Sequence, residues 1–141
     1  MIAAIQPQAE FVHWMFAAGF VLLGLFLLAE AIVGPEVWRA TAWRAYLWPG
    51  LLFFLGLMLV PVMTFYTNSA IHMIAHGSWA QTMMLAGAAQ LGLVSGKLRH
   101  RAWELTLPLA LYVSGAAVLL HEQSPWLFSR AAFLHLSLIH I

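Results

Sequence analysis

The chain has 141 residues, 63% hydrophobic and 8% charged, with a mean hydropathy of +0.87, whereas ordinary soluble domains are about 25% charged. That apolar surface exceeds what a water-soluble core of this length absorbs, and long unbroken apolar runs, rather than ten-residue alternating ones, select transmembrane helices over a barrel. With no cysteine there is no disulfide, thiolate metal site, iron–sulfur cluster or covalently attached haem, and a net charge of +1 with dispersed Lys and Arg offers no nucleic-acid stripe.

Cutting at charges, turn residues and prolines predicts an all-α, polytopic transmembrane helix bundle in a single domain, residues 1–135, with four complete spans and a truncated fifth. The first span covers about 11–33 and stops at Gly34-Pro35, because proline cannot continue a helix. It lacks the basic start and small-residue cleavage site of a signal peptide and reads as a retained span. The second, about 46–66, opens on Trp48-Pro49, where proline is tolerated in a first turn, and carries Pro61 inside, where a kink is expected. The third, about 70–95, follows the turn Thr67-Asn68-Ser69 and presents Ala88, Gly92 and Gly96 as a small-residue strip for helix packing. The fourth, about 102–120, contains Pro108 and ends in the polar stretch His121-Glu122-Gln123-Ser124-Pro125. The fifth begins at Trp126 and runs from 126 to 135 onward. Trp14, Trp38, Trp43, Trp48, Trp103 and Trp126 fall near span ends, as an interfacial aromatic belt would have them.

The loops 34–45 and 96–101 carry Arg39, Arg44, Lys97, Arg99 and Arg101, and the opposite side only Arg130, which is placed to pair with Glu122 or Glu10. The positive-inside rule makes the basic side cytoplasmic, giving a multi-pass protein of the inner membrane with its N-terminus outside, in the periplasm of a Gram-negative source. Residues 136–141, Leu-Ser-Leu-Ile-His-Ile, match the translation of CTGTCTCTTATACACATC, a transposon end used in sequencing libraries. They read as adapter, which sets His140 aside and leads us to expect further helices in the natural protein.

Alternation of the spans gathers the histidines at the outer face: His13 near the start of the first span, His72 and His76 at the start of the third, His121 with Glu122 at the end of the fourth. His135 would lie roughly 15 Å below that surface at 1.5 Å per residue, within reach of His76 if the third and fifth spans are neighbours. His72 and His76 stand at i and i+4, so both rings project from one helical face with a separation that can share an ion. A third ligand from His121, His13, His135 or Glu122 would complete a site, and Met15, Met63 and Met73 offer thioether sulfur nearby. Imidazole and thioether without thiolate favour a copper ion over hard, oxygen-loving cations. Each of these histidines also has a plain reading, as an interfacial or packed residue. Glu30 and Glu104 lie toward the basic ends of their spans and are expected to snorkel or pair with a nearby Arg, and Gln90 and Tyr112 to make polar packing contacts.

The stretch Ser69-Ala70-Ile71-His72-Met73-Ile74-Ala75-His76, preceded by the apolar run Phe53 to Met63, resembles the His-Met-x-x-His helix start of bacterial cytochrome-oxidase assembly membrane proteins. The resemblance covers the second and third spans and implies copper delivery, with His72 and His76 as family-like positions and a respiratory oxidase or periplasmic copper carrier as partner. It departs from the family in following its histidines with Leu85-Ala86-Gly87-Ala88-Ala89 instead of a proline-containing stretch. Three functions stay open: copper handling; a b-type haem electron carrier using His76 with His121 or His135 as axial ligands; and a structural or transport subunit without a metal. No nucleophile–base arrangement stands out, so no catalytic residue is assigned.

Overall fold

The structure is a computed structural model that describes the backbone of residues 7–66 and 70–121 and the side chains of residues 11–63 and 73–116. The described residues are helical and contain no strand. Helix α1 spans Pro7–Val33, α2 Pro35–Ala40, α3 Ala42–Ala45, α4 Leu47–Tyr66, α5 Ala70–Val94 and α6 Thr106–His121, with a 3₁₀ helix at Arg101–Leu105 leading into α6.

Proline and glycine set most of these boundaries. Proline occupies the first turn of α2 (Pro35), α4 (Pro49) and α6 (Pro108), where its missing N–H has no helical acceptor to lose. Gly34 ends α1 at φ +93° and Gly96 follows α5 at φ +72°, both left-handed conformations that a Cβ disfavours. The backbone continues as helix through Pro61 to Tyr66. The stretch 34–45, expected as a loop, folds instead into the short helices α2 and α3. Glu36 in the first turn of α2 and Arg39 in its last complement the helix dipole.

Helices α4 and α5 form the central antiparallel pair, with α1 packed on α4 and α6 on α5. Their close approach rests on two glycines. A Cβ on Gly87 would stand 2.5 Å from the Phe53 nitrogen, and one on Gly56 would stand 2.8 Å from both the Ala80 carbonyl oxygen and the Met84 nitrogen. Leu52, Leu55 and Leu59 of α4 and Ala80, Met83 and Ala86 of α5 build the core, joined by Leu23 of α1, Trp48 of α4 and Ala110 of α6. Among the described residues the anticipated strip of Ala88, Gly92 and Gly96 does not receive another long helix. Ala88, rotated by about 100° from Gly87, is exposed. Gly92 receives the folded-back Leu98, and Gly96 lies beyond the helix.

Two stretches, Phe11–Val33 and Ala42–Met63, are long and apolar enough to cross a membrane, a test that a signal sequence near an N-terminus or a buried core helix also passes. Helix α5 has the length, but Ser78, Gln81, Thr82 and Gln90 dilute its apolar run. Within the described residues, which end at His121, helix α6 has 16 residues. The expected fifth span lies outside the described residues. Leu23 and Glu30 are the buried residues of α1 among those described, while Phe11, Val21, Leu22, Leu25, Leu28 and Ile32 all face outward.

Candidate functional site

The antiparallel packing defines two ends of the bundle. At one, α1 meets the α2–α3 elbow, α4 begins and α5 passes into the 3₁₀ helix. The other end holds the starts of α1 and α5 and the end of α6.

The backbone of four histidine candidates, His13, His72, His76 and His121, falls at this second end. His72 and His76 lie on the continuous helix α5, one turn apart. Levels along the axis follow from contacts lower in the bundle. Phe20 of α1 stacks on Trp79 of α5, ring centroids 6.1 Å apart. From that contact His13 and His72 are both seven residues further out, roughly 10 Å at 1.5 Å per residue. Gln90 of α5 likewise meets Thr106 of α6, Nε2 to Oγ1 3.4 Å. From there His76 is 14 residues and His121 15 residues along, roughly 21 and 22 Å. Backbone levels therefore match within each pair.

Side-chain convergence is a separate matter. His13 is exposed and His76 half-buried. The Met63 sulfur lies at the α4–α5 seam, 3.1 Å from where a Cβ of Gly77 would be and one residue along α5 from His76. The side chains of His72 and His121, and the whole of Glu122 and His135, lie outside the described residues. Among the described residues no group of three or more His, Cys, Asp or Glu side chains comes together as a metal ion would need.

The first end holds the one buried carboxylate among the described residues. Glu30, 7% exposed, accepts a hydrogen bond from Trp48 Nε1 at 2.6 Å and a charge-assisted one from Arg39 Nε at 2.7 Å. A carboxylate taken out of water needs such donors, and here α1 is tied by one side chain to both α2 and α4. Trp38 Nε1 donates to the Arg44 carbonyl oxygen at 3.1 Å, closing the elbow from α2 to α3. The Arg44 guanidinium stands 5.7 Å from the Trp38 ring and 5.6 Å from the Trp43 ring, within cation–π range.

The expected pairing of Glu30 and Glu104 with arginine is present: Glu30 with Arg39, and Glu104 with Arg101 at 3.8 Å on the surface. The aromatic belt is corrected at two positions. Trp38 and Trp48 are buried, their N–H groups engaged by the protein, whereas Trp14, Trp43 and Trp103 are exposed. An indole is amphipathic, so a position near a span end suits a headgroup layer or an internal acceptor equally well, and only packing separates the two. Tyr112 is 79% exposed among the described residues, whereas Gln90 joins α5 to α6. His100, read as a plain loop residue, caps the 3₁₀ helix by accepting from the Ala102 N–H at 3.1 Å. The expected pairing of Arg130 lies outside the described residues. The bond from Trp48 to Glu30 was missed; its signal was a lone carboxylate in an apolar helix, which must find a donor.

No protein-family model, curated protein or solved structure matches the chain.

Proposed function

We propose that the chain is a multi-pass membrane protein of the inner membrane that binds a copper ion at its histidine-bearing end, for delivery or oxidase assembly. The observation that carries this reading is the pair His72 and His76, one turn apart on the unbroken helix α5, at an end of the bundle reached also by His13 and the last residue of α6, His121. Ligands at i and i+4 share one helix face, and imidazole with a nearby thioether suits copper in a chain without thiolate. Membrane embedding is supported by the outward apolar face of α1, since water makes such an exposed surface an aggregation site and lipid does not. The resemblance of residues 69–76 to oxidase-assembly proteins points to the same chemistry. Four complete spans with the His-rich end outside is the topology this reading requires. It requires no catalysis.

The test is metal content and optical absorption of the full natural protein purified in detergent, beside a His72→Ala/His76→Ala double variant. Near-stoichiometric copper that the double variant loses, with helicity unchanged by circular dichroism, is the expected result. A Soret band would favour the haem carrier, and absence of both signals after copper and haem supplementation would leave a structural or transport subunit.

A further inference from the structure

The basic end of the bundle holds a charged group whose hydrogen-bonding capacity the described residues do not use. Arg44 is positioned by the rings of Trp38 and Trp43 and by the bond from Trp38 Nε1 to its own carbonyl. Among the described residues its guanidinium meets no hydrogen-bond acceptor, although it carries five N–H donors in a planar fork. Arg39, one turn of chain away, gives its Nε to Glu30 and keeps a side chain 52% exposed.

Charge and apolarity around this group point to one kind of partner. Glu30 and Arg39 are engaged with each other, so the carboxylates left at this end are Glu36 and Glu104, against Arg44, Lys97, Arg99 and Arg101. Glu104 is in turn paired with Arg101. Beside the arginines the elbow exposes apolar side chains, Val37 and Trp43, both 62% exposed, and the last turns of α1 expose Ile32 and Val33. A free anion in water has no use for that rim; a phosphate carrying acyl chains does.

We propose that the α2–α3 elbow binds the headgroup of an anionic phospholipid, with the Arg44 fork on the phosphodiester oxygens and the acyl chains along the outward face of α1. A planar guanidinium matches two phosphate oxygens at once, and cation–π attraction to the two indoles restrains it beforehand, so less side-chain freedom is lost on binding. The site is independent of the histidine-bearing end and stands whether or not copper binds there.

The experiment is native mass spectrometry of the full chain in a zwitterionic detergent, supplemented in turn with phosphatidylglycerol, phosphatidylcholine, or phosphatidylglycerol plus inorganic phosphate at matched concentration. The expected result is preferential retention of phosphatidylglycerol, unaffected by inorganic phosphate. Arg44→Gln should weaken it about tenfold, the loss of a charge-assisted bond worth roughly 1.5 kcal/mol. Trp43→Leu changes an exposed ring and keeps the test alive if Arg44→Gln misfolds by circular dichroism; it should also reduce retention. Equal retention of the two lipids, displacement by inorganic phosphate, or undiminished binding in the folded variants would each overturn the proposal.

Discussion

Glu30 joins three helices through two hydrogen bonds of unequal setting. The Trp48 bond is buried and shielded from water, whereas Arg39 is half exposed and its ion pair is screened. The two partners therefore contribute differently. Trp48→Phe leaves a carboxylate oxygen without its indole donor and should cost about 1.5–3 kcal/mol, while Arg39→Gln should cost less than about 1 kcal/mol. Thermal unfolding in detergent followed by circular dichroism measures both, and a reversed order would mean that the ion pair, not the buried indole, holds α1 in place. The pairing of Glu30 with an arginine was legible because a lone carboxylate near Arg39 in an apolar chain has few alternatives. The Trp48 bond was not, because it joins residues 18 positions apart and depends on how α1 lies on α4.

At the scale of the element, glycines that look alike in sequence divide by what stands opposite them. Gly87→Ala would drive a Cβ into the Phe53 backbone, which cannot rotate aside, so the α4–α5 pair should lose about 1–3 kcal/mol or more. Gly50→Ala in α4 has nothing within 4 Å of the added methyl, and should be neutral or stabilising by up to about 1 kcal/mol, since alanine loses less backbone entropy in a helix. Melting temperatures of the two variants check this contrast; similar losses in both would mean that the close approach at Gly87 is not what sets the interhelical distance. The end of α1, the start of α4 and the end of α5 were legible to within a few residues, because Gly34-Pro35, Pro49 and Gly96 act locally. Helices α2 and α3 were not, since six and four residues carry no readable apolar period and are held by contacts such as Trp38 to Arg44.

For the whole molecule, the testable property is sidedness. The proposed topology sets the 67–69 turn outside and the 96–101 loop inside. The 141 residues contain no cysteine, so single Asn68→Cys and Lys97→Cys variants of this chain report without background. In intact cells a membrane-impermeant maleimide should label Asn68→Cys and leave Lys97→Cys unlabelled until the membrane is permeabilised. Labelling of both from outside would rule out alternating spans, and labelling of Lys97→Cys alone would put the histidine-bearing end inside.

The sequence alone was enough to show that the chain is helical and strongly apolar, where most of its long helices begin and end, and that His13, His72, His76 and His121 fall at the end opposite Arg39, Arg44, Lys97, Arg99 and Arg101. These follow from composition, from proline and glycine, and from alternation of direction, none of which needs a three-dimensional neighbour. Tertiary structure decided which glycines are in contact, which tryptophans face inward, and that Glu30 binds two donors while Arg44 stands within cation–π range of two rings. Those outcomes depend on the rotation and offset of one helix against another. A helix apolar on nearly every side, as α1 is, does not encode which of its faces will be covered.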